Sequence, residues 1–200
     1  MSPVSEPPAT AAADRAAAVV RPMTSQDIPA VAAVRVLGWQ SAYVGLVPQS
    51  YLDAMSQERE LATRTRQFEK ARPGVVNLVA ERAGEVVGWS CWGPYREAEG
   101  VTAGPSAAEL YTLYVHPDRL STGAGRVLMS EAARQARAAG FASMHAWVLR
   151  GNARALRFYR KAGFAVDPGE ESFELDGITL YEVRCSRRLS EAAAAAPSLG

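Results

Sequence analysis

Two hundred residues with 48% hydrophobic content, 22% charged content and a net charge of +1 suit one globular domain. That balance argues against a nucleic-acid binder that relies on a broad basic surface. His116 and His145 are the only imidazoles, which excludes a multi-histidine metal site, and no metal is expected. Cys91 and Cys185 lie far apart and read as two reduced thiols of a cytoplasmic protein.

In chain order, residues 1–18 read as a flexible Pro/Ala-rich arm without the features of a secretory signal. "VVRPM" is a short strand. Thr24, Ser25 and Asp27 then offer helix N-caps ahead of a helix whose apolar stripe is Ile28, Val31, Val34 and Leu37. "GLVP" breaks it, and Ser50 and Ser56 start further helical pieces reaching about Lys70. Residues 75–82 and 86–93 form a hairpin. The Gly/Pro-rich loop 94–106 is long enough to expect a function of it. Residues 107–115 are a strand, and simple alternation puts Glu109, Tyr111, Leu113 and Val115 on one face. A glycine-containing turn, helix 123–138, strand 141–149 and helix 152–163 follow, the last ended by Gly163. The chain closes with a hairpin around Asp176-Gly177, and residues 190–200 read as a flexible tail.

The domain is therefore placed at 19–189. It is α/β, with a mixed, mostly antiparallel central sheet of about seven strands flanked by about four helices. No apolar run is long enough to span a membrane.

The stretch "LSTGAG" at 120–125 sits between strand and helix. A helix N-terminus presents unpaired N–H groups and the positive end of a dipole, so it attracts anions. Glycine lets the backbone approach such a group closely. The amides of Ser121, Thr122, Gly123, Ala124, Gly125 and Arg126, with the Ser121 and Thr122 hydroxyls, form a candidate cradle for linked phosphates. The same letters also describe an ordinary N-cap, and the phosphate-loop signature is absent.

One strand later comes "GNARALRFYRKAGF". Val115-His116-Pro117, then Gly123-Ala124-Gly125, then Asn152, Ala155, Phe158, Tyr159, Gly163 and Phe164 follow one another in order. Together they resemble the GNAT superfamily of N-acetyltransferases. The match runs along 107–164, with looser agreement from about 19 to 189.

The resemblance implies an acetyl-CoA-dependent enzyme. It implies a turn that holds the pyrophosphate through its amides and a strand edge, Leu113, Tyr114 and Val115, that pairs with the pantetheine arm. It implies direct attack by an amine. Leu120 stands where the family usually has Gln or Arg, which leaves the backbone donors, with Arg119 or Arg126 beside them, and implies moderate affinity.

Acyl transfer from a thioester to an amine needs a base, a stabilised oxyanion and an acid for the leaving thiolate. The backbone near Tyr114 suits the oxyanion. Tyr159 matches the family's tyrosine near the sulfur, and a phenol is protonated at neutral pH. It also belongs to the apolar face made with Ala155, Phe158 and Ala162. Asn152 reads as an N-cap that in the family also touches the cofactor. Glu109 is the first choice of base, with ordered water or a plain strand-end glutamate as the alternatives.

Trp39, Tyr43, Trp92, Tyr111 and Trp147 are candidates for an aromatic acceptor wall or for core packing. The acceptor is expected to be a small-molecule or peptide amine, with no nucleic acid and no membrane partner, and a homodimer is the default assembly. A catalytically silent acyl-CoA-binding domain is the alternative.

Overall fold

The computed structural model describes residues 17–70, 72–97, 103–104 and 106–189. The arm and the tail expected at the two ends lie almost wholly outside the described residues. The chain begins with β1 (Val19–Pro22), α1 (Ile28–Ala42), α2 (Gln49–Ala54) and α3 (Gln57–Glu69). The strands β2 (Val76–Arg82), β3 (Glu85–Pro94) and β4 (Ala107–Val115) follow. Then come α4 (Ala124–Ala138), β5 (Ser143–Leu149), α5 (Ala153–Lys161), β6 (Ala165–Leu175) and β7 (Ile178–Arg188). Among the described residues there are five α-helices, one more than expected. Met55 and Ser56 are extended, and Ser56 caps a new helix by accepting from the Arg59 amide, so the pieces after Pro48 stay separate.

The seven strands form one sheet in the order β1-β2-β3-β4-β5-β7-β6. Only β4 and β5 run parallel, and they pair only at Ala107–Ser143, Ala108–Met144 and Glu109–His145. Past that point no ladder joins them. β3 satisfies β4 on its other side through Ser90↔Leu113, Trp89↔Tyr114 and Gly88↔Val115. The β5-facing edge of 110–115 is therefore open, with backbone donors and acceptors unmatched by a strand.

Beta-4 departs from simple alternation. Its register with β3 slips between Cys91 and Trp92, so Thr112 pairs with Cys91 and Leu110 with Trp92, leaving Tyr111 as the extra residue. The bulge reverses which side faces which layer. Ala108 and Leu110 join the core against α4, and so do Leu113 and Val115, while Tyr114 packs on Val31 of α1. Glu109 therefore lies on the opposite face from Leu113 and Val115. This corrects the single-face reading.

The larger core lies between the sheet and α4, with Leu78, Leu110, Leu128, Met129 and Met144 almost fully buried. On the other layer α1 is wedged between the sheet and α3, which is why Val36 is buried beside the expected stripe. Gly38 makes this wedge possible, since a Cβ there would lie 3.2 Å from the Tyr114 ring.

Asp27 anchors the entry to α1. It accepts from Arg21 at 2.7 and 2.8 Å and from the Thr24 amide at 2.7 Å. The guanidinium holds its carboxyl down at about 2. A carboxyl lowered on folding stabilises the fold above its ordinary value and loses that contribution as pH falls through the lowered one. We expect Asp27→Asn to cost about 1–2 kcal/mol at pH 7. The deficit should close below about pH 2, read by urea unfolding across pH. An equal deficit at every pH would remove the ion pair as its cause.

Candidate active site

A cleft of about 1730 Å³ crosses the sheet where β4 and β5 part. At one end stand the glycine turn and α5. At the other stand α1, α3 and the β6–β7 hairpin.

The turn has the geometry of an anion cradle. A short 3-10 segment, Pro117–Arg119, leads to Leu120, which is extended. Ser121 and Gly123 then take φ values of 64° and 95°. Gly123 is the N-cap of α4, and the first helical amide to bond back is Val127, at 3.1 Å from the Gly123 carbonyl. The amides of Ala124, Gly125 and Arg126 therefore have no partner four residues back. Two details were not readable from the motif. Thr122 donates its hydroxyl to the Arg119 carbonyl at 2.6 Å, so it braces the turn and is not free to meet a ligand. Arg82, buried at the end of β2, donates to the Thr122 carbonyl at 2.9 Å and fixes the turn from behind.

Beside the turn, Arg154, Arg157 and Lys161 of α5 line the cleft, together with Arg126. These are the cations that the motif around Leu120 lacks. They recur at i, i+3 and i+7, the spacing of one helix stripe.

Leu113, Tyr114 and Val115 line the middle of the cleft along the open edge of β4. Gly125 packs over them, and a Cβ there would stand 3.4 Å from both Val115 and Phe158. Such an open edge under a helix N-terminus fits a ligand with a polar amide-bearing arm and a diphosphate. These residues suit coenzyme A.

Tyr159 lies beneath this edge, nine-tenths buried, with its ring edge-on to Phe158 and Phe164 at 5.5 and 5.4 Å. Burial raises its phenol above the ordinary tyrosine value, and the Tyr114 phenol adds to the effect. Tyr159 is therefore protonated throughout the working range. Asn152 accepts from the Ala155 amide at 3.0 Å, which is the N-cap role, and it also borders the cleft.

Glu109 is almost fully buried. One of its oxygens accepts from the Arg96 amide at 3.0 Å, and both accept from the Arg96 guanidinium. Arg96 comes from the loop that the sequence marked for a function, and it stacks on Tyr111 at 4.4 Å. Residues 98–102 and 105 of that loop lie outside the described residues.

Sequence reasoning missed Glu171 and Glu182. They are register partners on β6 and β7, and both line the cleft at the β6–β7 hairpin. Burial raises Glu182 to about 7, and the carboxylate of Glu171 beside it works in the same direction.

Of the expected aromatic wall, Trp39, Tyr43, Tyr111 and Trp147 line the cleft, joined by Phe173. Trp92 does not. It packs in the α4-side core, edge-on to Phe141, because alternation along β3 puts Trp89 and Cys91 on the α1 side and Trp92 on the other. Burial lifts the Cys91 and Cys185 thiols to about 11, so neither is a ready nucleophile. Among the described residues no three His, Cys, Asp or Glu side chains are grouped to hold a metal.

The family model for the Acetyltransferase (GNAT) family matches residues 39–164. The chain belongs to this family. The GNAT chain is 32% identical to the N-acetyltransferase YuaI of Bacillus subtilis, over 82% of its own length and 89% of the relative's. It is 34% identical to the L-methionine sulfoximine/L-methionine sulfone acetyltransferase of Pseudomonas paraeruginosa, over 54% of its own length and 61% of the relative's. Among solved structures, the ribosomal-protein-alanine N-acetyltransferase of Brucella melitensis superposes with a TM-score of 0.68 at 26% identity. That match covers 85% of this chain and 99% of the other. The protein is an acetyl-CoA-dependent N-acetyltransferase, and the single α/β GNAT fold and the co-substrate stand as expected. No helix among the described residues is long and apolar enough to cross a membrane.

Proposed function

We propose that this GNAT enzyme acetylates a primary amine carried on a small molecule or peptide, in the cytoplasm, with the cofactor along β4 and the acceptor between α1 and the β6–β7 hairpin. The observation that carries this reading is the gap where β4 and β5 part, with the glycine cradle at one end and Tyr159 beneath it. Bound acetyl-CoA supplies an activated acetyl thioester.

The residues then divide the work. The Ala124, Gly125 and Arg126 amides bind the diphosphate, with Ser121, Thr122 and Gly123 shaping the turn and Leu120 contributing only its backbone. Arg154, Arg157 and Lys161 add long-range attraction for the cofactor's negative end. Leu113, Tyr114 and Val115 align the arm, with Asn152 and Phe158 closing the opposite wall. A backbone amide near Tyr114 stabilises the developing oxyanion. Tyr159 donates its hydroxyl proton to the departing sulfur.

Glu109 is not assigned as the base. Its buried carboxylate is held by Arg96, so it positions that arginine at the rim of the acceptor pocket. The acceptor end is walled by Trp39, Tyr43, Trp147 and Phe173. It also holds three carboxylates, Glu109, Glu171 and Glu182, with Arg96 beside them, while Arg35 and Arg64 line the α1–α3 side. An amine that arrives as an ammonium on a partly apolar body suits that lining. The acceptors named for the Pseudomonas and Brucella proteins, an amino-acid analogue and a protein alanine, both present such an amine. A silent binding domain is disfavoured because Tyr159 lines the cleft intact.

The test is a thermal-shift titration with acetyl-CoA, CoA and ATP, followed by thiol release with an amine panel. At 1 mM ligand and a Kd of order 10 μM, acetyl-CoA should raise Tm by about 5–10 °C. ATP should do far less. A Tm indifferent to acetyl-CoA would overturn the assignment.

A further inference from the structure

The mechanism above leaves the amine's proton without an acceptor. Glu109, the residue the sequence favoured, is locked to Arg96. The acceptor end of the cleft offers one other carboxylate pair. Glu171 and Glu182 face each other across the β6–β7 ladder, while Glu182 faces Leu149 across the β5–β7 ladder. Leu149 is on the stretch of β5 that has already left β4, so Glu182 stands beside the gap in which the thioester would lie. Tyr159 is close enough for the Glu182 charge to act on its phenol, and so is Tyr43.

We propose that Glu182, paired with Glu171, is the group that takes the proton from the acceptor amine. This rests on the acetyl-transfer reading of the cleft. The amine nitrogen forms the new C–N bond as the thioester C–S bond breaks. An ammonium sheds two protons on becoming an amide. One goes to the Glu182 carboxylate and on to solvent. The other restores the proton that Tyr159 delivers to the sulfur. Atoms and charge balance with no further reactant.

Several groups set how readily Glu182 holds that proton. Glu171 on β6 is a like charge and a hydrogen-bond partner. Glu109 on β4 adds a second negative charge, and Arg96, after β3, opposes both. Tyr43 from α1 and Tyr159 from α5 remain neutral phenols. Trp147 and Leu149 of β5 are uncharged, and Arg184, two residues along β7, is tied to Asp167 at 2.9 Å. Burial and the two carboxylates prevail, so Glu182 titrates at about 7. That is near the operating pH, where a general base combines availability with driving force. Its carboxylate is also the right sign to draw in an ammonium.

The experiment is the pH dependence of thiol release between pH 5.5 and 9, with L-methionine sulfoximine, spermidine and an alanine-terminated peptide as amine probes. The native enzyme should show an acid limb with a midpoint near pH 7. Glu182→Gln should lower kcat/KM at pH 8 by about 10²-fold and abolish that limb. Glu171→Gln should move the limb down by about one pH unit, because a like charge is gone, while retaining the limb that Glu182→Gln abolishes.

Acetyl-CoA affinity, measured by calorimetry, should be unchanged in both variants. A carboxyl raised on folding contributes stability below its ordinary value and loses it as pH rises through the raised one. Glu182→Gln should therefore raise Tm by a few degrees at pH 8 and leave it level at pH 5.

If Glu182→Gln keeps both the rate and the limb of the native enzyme, the proposal is overturned while acetyl transfer stands. If the native chain binds acetyl-CoA but releases thiol with none of the probes, this proposal and the acceptor reading fall together. If acetyl-CoA does not bind, the fault lies with the cofactor assignment itself.

Discussion

Tyr159→Phe should reduce acetyl transfer by about 10²–10³-fold while changing Tm by less than about 2 °C. The asymmetry follows from where the ring sits. Its edges pack on Phe158 and Phe164, contacts that phenylalanine keeps, while the residue as a whole borders the cleft. Only the proton donor is removed. A thiolate leaving without a proton must develop full charge in an environment that already raises the phenol by desolvation. The loss should appear in kcat, with acetyl-CoA affinity preserved, because the hydroxyl acts on the leaving group and not on the bound ground state. Since the native phenol stays protonated well past neutrality, no limb of the pH–rate profile below about pH 10 should belong to it. A phenylalanine variant with at least half of native turnover would take Tyr159 out of the reaction.

Gly123→Val should weaken acetyl-CoA binding by at least about 10-fold and lower Tm by roughly 3–8 °C. Space is not the obstacle, because a Cβ at Gly123 would meet nothing within 4 Å. The backbone is. Its φ of 95° is accessible to glycine and strained for a β-branched residue. The strain can be relieved only by rotating the turn, which re-aims the amides of Ala124, Gly125 and Arg126. Thr122, braced to Arg119 and held by Arg82, resists that rotation, so stability and affinity should fall together. Gly123→Asn is the control, because asparagine tolerates the left-handed region better. Its losses should be smaller on both measures. Native affinity in the valine variant would show that the cradle does not depend on this conformation.

Some of the site was readable letter by letter. The glycine turn, Asn152 at the start of α5 and the apolar stripe around Tyr159 are local patterns, and local patterns survive folding. Glu171 opposite Glu182 was also within reach. Asp176 and Gly177 make a two-residue turn with φ of 48° and 74°, which pairs Leu175 with Ile178. Counting outward from that pair brings Glu171 to Glu182.

Other features needed a partner strand or a second layer. Nothing in "AAELYTLYV" announces a bulge at Tyr111, because the slip exists only in the register with Cys91 and Trp92 of β3. That one extra residue put Glu109 on the opposite face from Leu113 and Val115. The Arg96–Glu109 pair joins residues 13 apart across a loop of no regular period. Arg154, Arg157 and Lys161 of α5 form a visible stripe, yet which surface they line depends on how the helix docks.

The sequence by itself determined the order of elements, the family, the glycine turn at the start of α4 and the tyrosine stripe of α5, because each is written in contiguous residues whose backbone preferences act locally. Only the tertiary structure decided which carboxylate stands against an arginine and which against another carboxylate. Strand register, burial and neighbouring charge arise when distant segments pack. They make Glu109 the partner of an arginine and leave Glu182 to titrate at about 7.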